Sequence, residues 1–172
     1  MSTPFRILGL DPGLRRTGWG VIESCDHHLR HIASGVVSPD NRLEMPARLN
    51  LLYEGITSLV DAWSPDEAAV EEIFVSKNPL STLRLGQARG VVLLAPARAS
   101  LTVYEYAANV IKKSVVGAGH ADKSQMQAMV RMLLPTADPQ SIDAADALAV
   151  AICHAHHTAT QRAWQHQKAT AG

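Results

Sequence analysis

The sequence predicts an α/β fold with a mixed five-stranded sheet flanked by helices. Three strand-like segments come first and are joined by tight polar turns, so they are expected to pair antiparallel. Farther along, apolar strand-like segments alternate with segments of helical periodicity, which favours parallel pairing. The chain has 172 residues, the length of one domain, and its hydrophobic fraction of 47% is enough for a core.

The three opening strands are defined by apolar runs that end at turn residues. The first is predicted at Phe5–Asp11 and is followed directly by Pro12 and Gly13, which favour a turn. The next two are predicted at residues 17–24 and 29–37, with a polar turn near Asp26 between them.

The periodicity then changes from strand to helix. Apolar residues from Leu49 to Val60 fall at helical spacing, and Pro46 suits a first helical turn. A second helix is expected to end before Pro96, because proline disrupts a helix interior. The remaining predicted elements are strands at 68–74 and 101–104 and helices at 80–94, 107–114, 122–134 and 141–154. We expect a domain at residues 1–158 and a flexible tail at 159–172.

Composition limits the function classes. No apolar run is long enough to cross a bilayer, and the N-terminal stretch lacks the pattern of a secretory signal. The two cysteines, Cys25 and Cys153, have no metal-binding or disulfide spacing, which favours a reducing compartment. We therefore expect a cytoplasmic protein.

Charge is unevenly distributed although the formal net charge is zero. Residues 73–137 hold eight Lys or Arg and two acidic residues, a local charge of +6. This asymmetry indicates either a basic face beside an acidic one or solvated helix faces rich in arginine.

Carboxylates stand at the ends of three predicted elements. Asp11 ends the first strand, Glu71 and Glu72 lie in the fourth, and Asp143 and Asp146 lie three apart near the start of the last helix. Each has a local explanation: a turn residue, a salt-bridge partner of a basic helix, or an acid that complements the helix dipole. Together they indicate a shared site, because burying unpaired carboxylates is costly.

Grouped carboxylates repel one another unless cations neutralise them. Hard oxygen ligands suit Mg²⁺ or Mn²⁺, whereas His and Cys would have indicated Zn²⁺. Two such ions in one site promote in-line attack of water on a phosphodiester. The residues alone thus indicate a metal-dependent nuclease site bordered by basic residues.

Five segments in order resemble the RuvC family of bacterial Holliday-junction resolvases. The likeness extends from about Ile7 to about His156, and its segments are LGLDPGLRRTGWGVIE, AVEEIFVSKN, LRLGQARGVV, VYEYAANVIKKSVVGAGHADKSQMQAMV and DAADALAVAICH. The resemblance implies a ribonuclease H-like fold, two Mg²⁺ ions per subunit with Mn²⁺ as a possible substitute, and paired nicks in four-way DNA that leave 5′-phosphate and 3′-hydroxyl ends. The family acts in recombination and DNA repair.

The resemblance also assigns residues. It implies that the catalytic and metal-binding carboxylates are Asp11, Glu71, Asp143 and Asp146. It places Phe74 near unpaired bases at the junction centre, and Lys112 and Lys123 close to the scissile phosphate. We expect the remaining DNA contacts, to backbone phosphates, from Lys77, Arg84 and Arg89.

The partners that the resemblance implies are four-way junction DNA, a second copy of the chain, and the RuvA and RuvB branch-migration proteins. Gly86 and Gly90 leave a smooth ridge on the second predicted helix. This ridge could form the homodimer contact, or it could pack against the helix's own sheet.

Three alternative functions differ in substrate or chemistry. The first is a YqgF-like RNA-processing nuclease, which shares the opening strand and turn. The second is an actin- or sugar-kinase-like ATPase, which would need a duplicated domain. The third is a catalytically silent junction-binding module, which would have no use for four clustered acids. A second possible metal site, the histidines at 154, 156 and 157, is expected to be surface.

Overall fold

The structure, a computed structural model, describes residues 4–13, 15–25, 28–72, 77–139 and 141–170, with side chains as far as residue 160. Its elements follow the predicted order β-β-β-α-β-α-β-α-α-α. The strands are β1 (Phe5–Asp11), β2 (Thr17–Cys25), β3 (His28–Val37), β4 (Glu67–Glu71) and β5 (Thr102–Tyr106).

The predicted mixed sheet is confirmed. Its strand order is β3-β2-β1-β4-β5. The pairs β1–β2 and β2–β3 are antiparallel, whereas β1–β4 and β4–β5 are parallel. The parallel strands β1 and β4 therefore present their carboxyl ends at the same edge of the sheet.

The helices lie on both faces of the sheet. They are α1 (Met45–Trp63), α2 (Pro79–Arg98), α3 (Ala108–Val116), α4 (Lys123–Leu133) and α5 (Ile142–Thr170). The strand residues Leu8 and Leu10 pack with α1 and α2, while Ile7 and Ile22 pack with α3, α4 and α5. Within the described part of the chain, no helix is long and apolar enough to cross a membrane.

Two predicted helix ends were wrong. Helix α2 continues through Pro96 to Arg98. Pro96 removes one backbone hydrogen bond from the last turns of the helix, and its own side chain is buried in the core. Helix α5 runs past the predicted end at residue 154 to Thr170, because residues 155–170 contain neither glycine nor proline to stop it. The division into a domain at 1–158 and a tail at 159–172 stays a prediction.

Helix α5 lies directly on a glycine track formed by Gly9 of β1 and Gly18 and Gly20 of β2. A methyl group at Gly9 would overlap the carbonyl oxygen of Ala147, and one at Gly18 would overlap that of Asp143. At Gly20 it would lie 2.6 Å from a methyl carbon of Leu148. The absent side chains let the α5 backbone approach the strands closely.

We expect Gly9→Ala to destabilise the protein by about 1–3 kcal/mol, the typical cost of overfilling a packed core. The added methyl must push α5 away from β1, since backbone atoms of Ala147 and Ala151 stand in its way. Chemical denaturation measures the loss. The control is Gly119→Ala, where the new methyl would meet, among the described residues, only the Asn109 carbonyl oxygen at 3.8 Å. Equal stability of the two variants would contradict the close-packing account.

Candidate active site

Three elements bring the predicted carboxylates to one edge of the sheet. Asp11 is the last residue of β1, and Glu71 is the last residue of the neighbouring parallel strand β4. Asp143 and Asp146 stand in the first turns of α5, which begins over this edge because it lies on the glycine track. Strand ends and a helix start thus meet at one place.

A cleft of about 340 Å³ opens between these elements. Asp11, Glu71 and Asp146 line its acidic side, and Lys112 of α3 and Lys123 of α4 line its basic side. The apolar wall is formed by Ala108, Ile111, Met126 and Ala149.

Asp143, the fourth predicted ligand, does not line this cleft. Its carboxylate Oδ2 lies 2.9 Å from Nε of Arg16, a residue of the loop between β1 and β2. The carboxylate still acts on the cleft, because its negative charge contributes to the raised pKa of Asp11. Asp143 therefore stands at the rim, held by a cation that sequence reasoning did not single out.

The acidic side of the cleft is electrostatically strained. Burial, followed by the charges of Glu71 and Asp146, raises the pKa of Asp11 to about 8. Asp11 shares a hydrogen bond with Glu71 that favours a proton on Asp11. Burial also raises the pKa of Glu71 and that of Asp146. Grouped carboxylates with too little positive charge around them produce this pattern.

The lysines offset part of this strain. Lys112 and Lys123 both lower the pKa of Glu71 and that of Asp146, against the larger effect of burial. Lys123 Nζ lies 4.0 Å from Oδ2 of Asp146. Its position at the start of α4 is set by a capping box, in which Asp122 and Gln125 each bond the other's backbone N–H. Both lysines therefore border the carboxylates, and their role at the scissile phosphate stays a prediction.

The donor chemistry of the cleft fits a hard divalent cation, since its ligands are carboxylate oxygens. In the part of the chain that the structure describes, however, no three His, Cys, Asp or Glu side chains are grouped closely enough to hold a metal ion. The carboxylates instead satisfy one another and nearby cations: Asp11 bonds Glu71, and Asp143 bonds Arg16. To bind a cation together, these carboxylate side chains would have to rotate toward one another, with the backbone left in place.

Three of the other predicted DNA contacts do not line the cleft. Lys77, two residues before α2, and Arg84, in the second turn of that helix, are exposed. Arg89, farther along α2, is ion-paired with Glu105 of β5. Phe74 falls in residues 73–76, outside the described part of the chain.

The expectation that all three histidines of the α5 cluster are surface was wrong for His154. Its side chain is 0% exposed and hydrogen-bonds Glu67 and Tyr106. The position follows from helix geometry: His154 comes three residues after Ala151 on the stripe of α5 that faces the sheet. That spacing was visible in the sequence once the helix orientation was known.

We expect the stability of the metal-free protein to reflect the raised pKa of Asp11. Folded Asp11 keeps its proton up to about pH 8, whereas the carboxyl group of an unperturbed Asp has a pKa of 3.8. Its stabilising contribution is thus complete below about pH 3.8 and is lost as the pH rises through about 8. In chelator, Asp11→Asn is expected to match the wild type below about pH 3.8 and to unfold roughly 2–8 °C higher at pH 9.

The control is Asp61→Asn, which alters an exposed carboxylate of α1. Thermal unfolding followed by circular dichroism at several pH values gives the comparison. A difference between wild type and Asp11→Asn that does not change with pH would contradict the electrostatic description of the cleft.

The sequence of the chain matches one protein family over most of its length. The family model described as crossover junction endodeoxyribonuclease RuvC matches residues 7–154. The RuvC of Paramagnetospirillum magneticum is 60% identical over 91% of this chain and 95% of its own length. That of Rhodopseudomonas palustris is 58% identical over 90% of this chain and 88% of its own length.

Solved structures of Holliday junction resolvases have a similar fold. T. thermophilus RuvC in complex with a Holliday junction substrate superposes with a TM-score of 0.85 at 29% identity, covering 91% of this chain and 96% of that one. The yeast mitochondrial Holliday junction resolvase Ydc2 shares the fold, with a TM-score of 0.69 at 14% identity, covering 94% of this chain and 84% of that one. A chain that has this fold, these carboxylates at one sheet edge, and close relatives along nearly its whole length belongs to the RuvC family of crossover junction endodeoxyribonucleases.

Proposed function

We propose that this protein resolves four-way (Holliday) DNA junctions during recombination and repair, by paired symmetric nicks. The observation that carries the proposal is the cleft in which Asp11, Glu71 and Asp146 converge from three elements beside Lys112 and Lys123. An acidic site beside basic side chains suits metal-dependent cleavage of a phosphodiester. The family match supports the choice of a DNA junction as substrate.

Asp11, Glu71 and Asp146, with Asp143 rotated from the rim, would hold two Mg²⁺ ions per subunit, for which Mn²⁺ could substitute. Such ions supply an activated water and stabilise the leaving oxygen. Breaking the bond between phosphorus and the 3′-oxygen yields a 3′-hydroxyl and a 5′-phosphate. Lys112 and Lys123 line the same cleft, where they would offset negative charge on the scissile phosphate.

The rest of the junction would be held by residues beyond the cleft. Lys77 and Arg84 are exposed and free to contact backbone phosphates, which gives salt-dependent affinity with little base information. Arg89 would have to exchange Glu105 for a phosphate to do the same. Phe74 is proposed to stack near unpaired bases at the junction centre.

A homodimer is proposed because two strands must be cut symmetrically. Helix α2 offers a surface for it: Leu80, Leu83, Gln87, Gly90 and Leu94 recur at intervals of three and four residues and so share one face. The three leucines are 54%, 62% and 52% exposed. Among the described residues, no atom lies within 4 Å of a methyl placed on Gly86 or Gly90. The ridge therefore does not pack against its own sheet, which favours the dimer alternative.

The remaining assignments rest on the resemblance and on cysteine chemistry. An association with RuvA and RuvB stays a prediction. A cytoplasmic location is proposed because Cys25 and Cys153 do not form a disulfide, which suits a reducing compartment.

The activity test uses a labelled synthetic four-way junction with Mg²⁺, with Mn²⁺, and with chelator. We expect the wild type to produce symmetric nicks that DNA ligase can reseal, and only when metal is present. Asp11→Asn is expected to bind the junction but to lose at least about 100-fold in cleavage rate, because one ligand of the shared metal site is gone. Asp61→Asn serves as the matched control and should cut normally.

Binding without cleavage by the wild type under either metal would favour the silent junction-binding module. Equal affinity for the junction and for linear duplex, with cleavage of RNA, would favour the RNA-processing alternative. Either result would overturn the proposed function.

The dimer test introduces a charge on the exposed seam of α2. We expect Leu83→Lys to give a monomer in sedimentation experiments, because a lysine in an apolar contact loses its hydration without gaining a partner. Leu51→Lys, at a 41% exposed position of α1, is the control and should remain dimeric. A dimeric Leu83→Lys would exclude this face of α2 as the interface.

A further inference from the structure

Helix α5 is anchored to the sheet by a buried polar cluster that the proposed chemistry does not use. His154 is fully buried, and its Nε2 lies 2.7 Å from Oε2 of Glu67 in β4. Its Nδ1 lies 2.7 Å from the hydroxyl of Tyr106 in β5. The ring of Tyr104 packs on the imidazole at 4.5 Å between centroids. We call these four side chains the His154 network.

The hydrogen bonds of the network are mutually compatible. A carboxylate only accepts hydrogen bonds, so Nε2–H of His154 donates to Glu67. In the neutral ring, Nδ1 is then left to accept from the Tyr106 hydroxyl. Burial raises the pKa of Tyr106, which keeps that hydroxyl protonated as a donor. The helix is thereby joined to two adjacent strands by bonds of defined direction.

The network sits on the helix that carries two of the four carboxylates. Asp143, Ala147, Ala151 and His154 follow one another at spacings of three or four residues, so they share the stripe of α5 that faces the sheet. His154 is about 12 Å along the helix axis from Asp146. Because the helix is continuous between them, a shift at His154 moves the carboxylates with it.

At Gly9 the contact between α5 and the sheet does little to fix the helix along its axis. Ala147 and Ala151 lie against Gly9, where no side chain of β1 projects between them. Such a smooth surface permits close approach but opposes sliding weakly, since interdigitation is what resists it. Directional hydrogen bonds from a buried side chain supply the missing constraint.

Tyr106 also connects the network to the strand end that carries Glu71. It is the cross-strand partner of Glu71 in the parallel pair β4–β5. Its carbonyl oxygen accepts the backbone N–H of Glu72 at 2.8 Å. One tyrosine thus bonds α5 through its hydroxyl and the Glu71–Glu72 backbone through its carbonyl group.

We propose that the His154 network is a positioning device that sets the register of α5 on the sheet and so places Asp143 and Asp146 relative to Asp11 and Glu71. The inference rests on the proposed function, because the geometry it sets is that of the metal-binding carboxylates. Glu67, Tyr106 and His154 are positioning residues; they do not line the cleft.

The test compares Tyr106→Phe and Glu67→Gln with the wild type. All measurements are made well below the unfolding temperature of each protein, so that every sample is folded. Titration calorimetry of the DNA-free proteins with MnCl₂ is expected to show Mn²⁺ affinity about 10-fold weaker in Tyr106→Phe, as when supporting bonds of a metal site are lost. Glu67→Gln keeps an acceptor for Nε2–H and should lose less. Junction affinity in chelator should stay within about twofold for both, because the DNA-contacting side chains are untouched.

Hydrogen exchange gives a second readout that needs no metal. Amides of residues 144–150 are expected to exchange faster in Tyr106→Phe, while those of β1 and β2 remain as in the wild type. At high Mn²⁺ the cleavage rate should return toward that of the wild type, because metal binding draws the carboxylates together again.

The control is Ile56→Val, which thins the core under α1 on the opposite face of the sheet. It lowers stability without touching α5. If Ile56→Val weakens Mn²⁺ binding as much as Tyr106→Phe does, or if neither network variant changes it, the positioning role is wrong. A wild type that binds no Mn²⁺ and cuts no junction would instead overturn the proposed function.

Discussion

The contact between the α5 backbone and the glycine track is the constraint on which the rest of the structure depends. Gly9, Gly18 and Gly20 let the helix lie where a side chain at any of these three positions would overlap it. Only at this closeness do the first turns of α5 reach the carboxyl ends of β1 and β4. The three acid-bearing elements are separated widely in sequence, and this packing is what makes them neighbours.

The resulting cleft works against stability. Burial and mutual repulsion keep a proton on Asp11 far above the usual pH range of a carboxyl group. A protein that only needed to fold would place apolar or neutral side chains here. Under the proposed function this strain has a chemical use, because cations that neutralise the carboxylates would relieve it and would bind more tightly as a result. Lys112 and Lys123 supply part of the neutralisation and leave the remainder for ligands.

Much of this was readable from the sequence. Strand periodicity, turn residues and the DPG segment predicted β1 and the position of Asp11 at its end. The connection lengths predicted which strands pair antiparallel and which pair parallel, but not the strand order. Side-chain pairing was not readable: the contact between Arg16 and Asp143 depends on how the loop after β1 folds over α5. The burial of His154 also escaped prediction, because a histidine near an expected helix end looks solvated until the helix is known to continue across the sheet.

The central claim is that packing of α5 on the glycine track gathers carboxylates from three elements into one metal site. Anomalous diffraction from crystals soaked in Mn²⁺ tests it most directly. The account predicts manganese peaks within about 2.0–2.3 Å of oxygens from Asp11, Glu71 and Asp146, with Asp143 turned away from Arg16 toward the metal. Manganese found elsewhere on the protein, or bound to carboxylates of α5 alone, would contradict it.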